Sequence, residues 1–266
     1  MSFQPVLPTG GYAGWLFLER TLESQKSTFV RTGEVSRDLA YFRENIGTAD
    51  TAEKLVNDRR LLKVALGAFG LDDDLNSRAF ILKVLEEGTL DKEAFANRLA
   101  DKRYGELARV FGYGDLGAQT AISGFADRIA RRYEDRQFER AVGTVDEDMR
   151  LALYFETAIE DILKANKTED AQWFALMGTP PARAVLESAL GLPKSLATLD
   201  IDQQLDAFKD RASRVFGSDS LADLTDPTLR DKAIRLYLVR QEAAAFATSA
   251  GSIALTLLQN ATLRYD

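Results

Sequence analysis

The stretch from Leu61 to Gly112, LLKVALGAFGLDDDLNSRAFILKVLEEGTLDKEAFANRLADKRYGELARVFG, restricts the fold more than any other part of the chain. Its apolar residues return every three to four positions in three segments punctuated by Gly70 and Gly88, and it closes on Arg109-Val110-Phe111-Gly112. That period marks helices with one buried stripe, whereas a half-buried strand alternates every second residue. No run of β-branched residues with period two is long enough to seed a sheet. The same grammar of helix and glycine continues to the C-terminus, and it predicts an all-α fold, an irregular multi-helix bundle of about nine to eleven helices.

Local signals place the elements. A first helix is expected from Tyr12 to about Arg31, with Trp15, Leu18 and Leu22 on one face. A second, through Leu39, Tyr41, Phe42 and Ile46, stops at Gly47, and a third carries Leu55, Leu62, Leu66 and Phe69 to a C-terminal Gly70. Asp73 or Asp74 is expected to cap the helix of Phe80, Val84 and Leu85, which Gly88 ends. Asp91 starts the next, with Phe95 and Leu99 inward. Ile122, Phe125, Ile129, Tyr133 and Phe138 suggest one long helix over 118–142.

Gly143 divides the chain into an N-terminal helical subdomain, 1–142, and a C-terminal one, 143–266, unless the two form one continuous domain. Thr144 with Glu147 reads as a capping box. Later starts fall at Thr168, at Thr179-Pro180, at Asp200 with Gln203, and at Asp226-Pro227. The Ala65-Leu66-Gly67 and Arg109-Val110-Phe111-Gly112 pattern returns as Ala189-Leu190-Gly191 and Arg214-Val215-Phe216-Gly217. The spacings are 44 residues (Ala65 to Arg109) and 25 (Ala189 to Arg214), so equal solenoid repeats are not supported.

Composition narrows the chemistry. The chain has neither cysteine nor histidine, which removes disulfides, thiolate nucleophiles, imidazole or thiolate zinc sites and His-based triads. A net charge of −7 repels a phosphate backbone, so no nucleic acid partner is expected. Arg128, Arg131, Arg132, Arg136 and Arg140 are interleaved with Asp127, Glu134, Asp135 and Glu139, a pattern of self-paired charge on a solvated face.

The individual candidates are weak. Asp72, Asp74 and Asn76 alternate as in the opening of an EF-hand loop, but Ser77 stands where Gly is needed and Lys83 where the bidentate Glu belongs. Gly67, Gly70, Gly112 and Gly114 end helices instead of joining a strand to one, unlike a phosphate loop. Ser123-Gly124 has no neighbouring base. Lys54, Lys63 and Lys83 lie on amphipathic helices, where exposed lysine is the rule. No residue is assigned as catalytic, cofactor-binding or metal-ligating, and no cofactor is expected.

The termini carry two further readings. The N-terminus has no basic region ahead of its apolar residues, so no cleaved signal is expected. Residues 243–263 hold no charge but contain too many Ser, Thr, Asn and Gln for a membrane span. A buried terminal helix, packing within the molecule or between copies in a homo-oligomer, is the expectation.

Several motifs together carry a resemblance. Tyr41-Phe42-Arg43-Glu44-Asn45-Ile46-Gly47, Asp58-Arg59-Arg60-Leu61-Leu62, Ala68-Phe69-Gly70-Leu71 and Phe95-Ala96-Asn97-Arg98-Leu99-Ala100-Asp101-Lys102-Arg103-Tyr104 occur in one order. Gly178-Thr179-Pro180-Pro181, Ala189-Leu190-Gly191-Leu192-Pro193, Leu199-Asp200-Ile201-Asp202-Gln203-Gln204 and Phe216-Gly217 follow. From about Tyr41 to Gln241 the chain resembles the DUF1217 family of bacterial proteins. The resemblance implies a largely helical protein from an alphaproteobacterium-like source, in a family whose genes often lie beside flagellar ones and which has no assigned catalytic residues.

The resulting expectation is a non-enzymatic helical interaction protein connected with flagellar assembly or motility, with a protein partner such as a flagellar component. It would act in the cytoplasm or be exported through the flagellar apparatus. The competing expectation is a hydrolase, or a protein binding a small ligand or cation, that uses carboxylates converging from distant segments.

Overall fold

A computed structural model describes residues 4–31 and 33–262, with side chains described through residue 247. Thirteen α-helices and four short 3-10 turns make up the described chain, which contains no strand. The chain groups into two compact units: Met1–Leu7 with Leu18–Val145, and Pro8–Phe17 with Asp146–Asp266. Helix α1 (Gly11–Arg31) thus gives its first turns to the second unit and its remainder to the first.

In the first unit, α4 (Arg59–Gly67) is the central element, with Leu61, Leu62, Val64, Ala65, Leu66 and Gly67 all buried. It packs against α2 (Gly33–Asn45) and α8 (Phe125–Gly143). The approach to α8 is close, because a Cβ on Gly67 would stand 2.6 Å from Cε2 of Tyr133. Helices α3 (Ala52–Asn57), α5 (Arg78–Glu87), α6 (Phe95–Arg98) and α7 (Arg103–Phe111) complete the unit. Phe111 lies edge-on to Phe125 at 5.2 Å and joins α7 to α8.

The expected third helix is two helices. Asp58 is extended (φ −88°, ψ 101°) and separates α3 from α4. Its carboxylate accepts the Arg60 and Leu61 amides at 2.9 and 3.1 Å, an N-cap that stops one helix and starts the next. The long helix expected over 118–142 begins only at Phe125, behind Gly124, and Ile122 is 51% exposed. Asp72–Asn76 is a 3-10 turn, and α5 starts at Arg78 with no side-chain cap from the aspartates.

In the second unit, α11 (Pro180–Leu190) lies against α13 (Pro227–Thr262) and α9 (Glu147–Ala165), with α10 (Glu169–Met177) and α12 (Ile201–Phe216) beside it. Its Ala182, Val185, Leu186, Ala189 and Leu190 are buried. Trp173 meets Phe208 at 6.0 Å and satisfies its indole N–H on the Asp219 carbonyl at 2.9 Å. The last carbonyls of α11 are served by arginines: Arg211 donates to Leu190 O at 2.6 Å and Arg240 to Ala189 O at 3.0 Å. Cations at a helix C-terminus satisfy orphan acceptors and oppose the dipole. The start of α1 docks here too, with Trp15 buried and the Tyr12 hydroxyl donating to Asp231 at 3.0 Å.

Starts at Thr168, Thr179-Pro180 and Asp226-Pro227 fall where the residues place them. The Thr144 and Glu147 box does not form. Asp146 is the cap of α9 and accepts the Met149 amide at 3.0 Å, while the Thr144 hydroxyl donates back to Ala141 O. Asp200 precedes α12 without a side-chain cap. The two Arg-Val-Phe-Gly endings share a physical cause: α7 ends at Gly112 (φ 75°) and α12 at Gly217 (φ 85°), left-handed positions that disfavour a side chain. The two Ala-Leu-Gly triplets differ, since Gly67 is inside a helix and Gly191 is a left-handed cap.

Candidate functional site

The candidate lysines are engaged with neighbouring side chains. Lys63, on α4, donates to Asp38 at 2.7 Å and to Glu34, both on α2. Burial presses its ammonium toward neutrality, but these two carboxylates outweigh burial and hold its pKa above the ordinary value. A general base or Schiff-base lysine needs the opposite shift. Lys54 pairs with Asp50 at 2.7 Å, and Lys83 lies 4.6 Å over the Phe95 ring. Ser123 is exposed in the turn ahead of α8.

The aspartate triplet does not close on one point. Asp72 accepts from Gln137 at 2.7 Å and pairs with Arg140 at 3.1 Å, whereas Asp74 accepts the Tyr104 hydroxyl at 2.7 Å. Burial and that bond push the Tyr104 phenol up to about 12. Among the described residues no three Asp or Glu side chains gather around a common centre.

Arg132, Arg136 and Arg140 of α8 pair with carboxylates, Arg132 and Arg140 across to other elements. Arg132 donates to Ala68 O at 2.8 Å and to Glu106 at 2.6 Å, and stacks 4.2 Å over Phe69. Arg43 of α2 reaches Asp127 and Glu134 at 3.0 and 3.2 Å, and Lys26 reaches Asp135 at 2.5 Å. Arg136 with Glu139, at 2.8 Å, is a pair within the helix. The face expected to neutralise itself also straps helices together, with Arg132, Arg136 and Arg140 committed to carboxylates and Arg132 to a carbonyl as well.

Two carboxyl groups do meet, at Glu53 of α3 and Glu86 of α5. Desolvation first, and then the hydrogen bond that Glu86 donates to Glu53, hold Glu86 above the ordinary carboxylate value; backbone and Thr51 bonds hold Glu53 below it. Both are exposed. Two open depressions of the surface, one along Ala222 to Leu229 and one along Thr48 to Leu61, are lined by neither.

What the molecule presents instead is apolar surface. In the first unit, Asp115 accepts from the Thr89 amide at 2.6 Å, the Thr89 hydroxyl at 2.9 Å and the Leu90 amide at 2.9 Å. Burial alone would raise this carboxyl, but the three bonds outweigh it and lower its pKa. Gly114 allows the clasp, since a Cβ there would meet Glu86 O at 2.2 Å. The clasp fixes two loops that hold Leu90 (70% exposed) and Leu116 (85%) in solvent.

In the second unit the large apolar side chains of α13 exposed among the described residues are Val239 (48%) and Phe246 (75%). They are seven residues apart, hence on one helix face, with exposed Ala243 between. Sequence reading missed Leu90 and Leu116. A leucine between turn formers, as in Thr89-Leu90-Asp91 and Asp115-Leu116-Gly117, is the signal available.

No helix among the described residues is long and apolar enough to cross a membrane. The expectation that residues 243–263 pack as a terminal helix lies for the most part outside the described side chains.

The described residues form an all-helical protein with Leu90, Leu116, Val239 and Phe246 exposed to solvent. The chain belongs to the family described as Protein of unknown function (DUF1217), which matches residues 68–229. The Tyr41–Gly47 and Asp58–Leu62 motifs lie ahead of that matched region. The crystal structure of protein AGR_C_984 from Agrobacterium tumefaciens is similar, with a TM-score of 0.70 and 27% identity over 90% of this chain and 98% of that one. No curated protein matches. Likeness of fold does not carry a function with it.

Proposed function

We propose that this chain is a non-enzymatic helical interaction protein that docks through the exposed face of α13, in a process connected with flagellar assembly or motility. One observation carries the reading: Phe246, a large aromatic, stands 75% exposed in line with Val239, at the start of a segment without charge. Isolated exposed apolar residues are ordinary, but a spaced row on one helix is the form in which helices engage partners. The flagellar context rests on the family resemblance, which supports action in the cytoplasm or on the flagellar export path as part of the same proposal. Deleting the gene and measuring swimming and filament formation tests the reading. Loss of swimming or of filaments is expected; a deletion strain with normal motility and intact filaments would overturn it.

A further inference from the structure

We propose that the loop face around Leu90 and Leu116 in the first unit docks a basic amphipathic helix of a partner protein, with its apolar stripe on the two leucines and its cations against the acidic rim. This surface is independent of α13.

The two leucines sit on loops tied together by one side chain. Leu116 is 85% exposed and Leu90 70%. The Leu90 amide donates to the Asp115 carboxylate at 2.9 Å, and Leu116 follows Asp115 in the chain, so one residue holds the backbones of both leucines close. The fit leaves no room for side chains at the crossing. A Cβ on Gly88 would stand 2.2 Å from Asp115 Oδ1, and one on Gly114 would stand 2.4 Å from the Gly88 nitrogen. Asn97 braces the same loop, donating to the Thr89 and Asp91 carbonyls at 2.8 and 2.7 Å. A single exposed leucine is ordinary surface. Two on loops fixed in this way lose little backbone freedom when a partner covers them, which is the condition for a preorganised contact.

Charge around the leucines selects the occupant. Between residues 86 and 93 stand four acidic residues, Glu86, Glu87, Asp91 and Glu93, against the single cation Lys92, and all five are exposed. Asp115 adds a carboxylate on one side and Glu53, the hydrogen-bond partner of Glu86, adds another. Lys83 reaches Glu87 at 3.7 Å while lying over the Phe95 ring, and the charge of Arg109 acts on Asp115. Six carboxyl groups therefore face three cations. Desolvation and the neighbouring Glu53 make Glu86 hold its proton more tightly than an ordinary carboxyl, as expected where negative charge is crowded. An anionic lipid surface, a nucleic acid backbone or a second copy bringing the same rim is repelled here. Lysine or arginine beside apolar residues is attracted, and an amphipathic helix carries both on one element.

The test uses the full chain and a fluorescein-labelled synthetic peptide of leucine and lysine, about 18 residues long so that it holds a helix, with its leucines on one face. Binding is read by fluorescence anisotropy at about 0.15 M salt, where distant charges are screened. The natural chain is expected to bind this peptide and not its leucine–glutamate counterpart. The double variant Leu90→Ser with Leu116→Ser, and the double variant Glu86→Lys with Glu93→Lys, are each expected to bind at least about tenfold more weakly. Unchanged thermal unfolding verifies that these exposed positions leave the fold intact. Phe246→Glu is expected to bind as the natural chain does. No binding by the natural chain, or undiminished binding by either double variant, overturns the proposal. Loss of binding in Phe246→Glu alone would move the contact to α13 and also overturn it. Sedimentation with phosphatidylglycerol vesicles, or a mass above one chain, that disappears in the leucine variant would give the leucines to a membrane or to a second copy and overturn the proposal as well.

Discussion

The hydroxyl of Tyr237 donates to the carboxylate of Asp148 at 2.6 Å, tying α13 to the first turn of α9. Burial, followed by that carboxylate, pushes the phenol well above its ordinary range, so the bond keeps its proton throughout the accessible pH range. Tyr237 is fully buried. Tyr237→Phe keeps the ring and its packing but leaves Asp148 without its donor. A hydrogen bond to a charged group contributes about 2 kcal/mol, and equilibrium urea unfolding is expected to show a loss of that size at an unchanged m-value.

Two neighbouring residues contest the start of α9, and substitution separates them. Asp146→Ala removes the acceptor for the Met149 amide and is expected to cost about 1 kcal/mol. Thr144→Ala, at the other expected capping position, is expected to leave the unfolding midpoint nearly unchanged, because its hydroxyl bonds only backward to Ala141 among the contacts described.

Helix starts with a local cause are legible in the sequence. Thr179-Pro180 and Asp226-Pro227 each contain a residue that favours the cap and an imide that fits the first turn, and both mark real starts. The break at Asp58 is not legible in that way. The apolar stripe runs from Leu55 to Leu62 and Leu66 as though unbroken, and the Tyr41 hydroxyl that accompanies Asp58, at 2.7 Å, comes from a different helix. Ile122 fits the period of α8 yet lies outside it, because periodicity does not record where the chain must turn. The absence of histidine and cysteine, which excludes imidazole and thiolate chemistry, is readable at once. That Lys63, Asp72 and Asp74 are bound to partners on other helices required the tertiary structure.

Close packing of α4 on α8 gives a prediction about glycine. Gly67→Ala places a methyl 2.6 Å from the Tyr133 ring, and overpacking of this kind costs about 2 kcal/mol. Gly47→Ala meets nothing within 4 Å and is expected to be neutral or mildly stabilising in the same thermal unfolding measurement.

The pair of Glu34 and Lys63 sets a dependence on acid. The hydrogen bond and charge of Lys63 hold Glu34 below its ordinary value of 4.5. A carboxyl lowered on folding contributes stability that is present above its unfolded pKa and is lost as pH falls through the folded one. Lys63 is raised, so its contribution is present below 10.5 and lost only as pH climbs through the higher folded value. In Glu34→Gln the acid limb of the stability profile is therefore expected to be shallower than in the natural protein, with no change in its slope around neutrality. Urea midpoints measured from neutral pH down into the acid range check this; identical acid limbs would contradict it.

The exposed face of α13 is best tested where the protein works. A strain carrying Phe246→Glu at the natural locus, with protein levels matched by immunoblot, should swim no better than a strain lacking the gene when ring expansion in soft agar is measured. Rings as wide as those of the parent strain would mean that this face has no part in what the protein does.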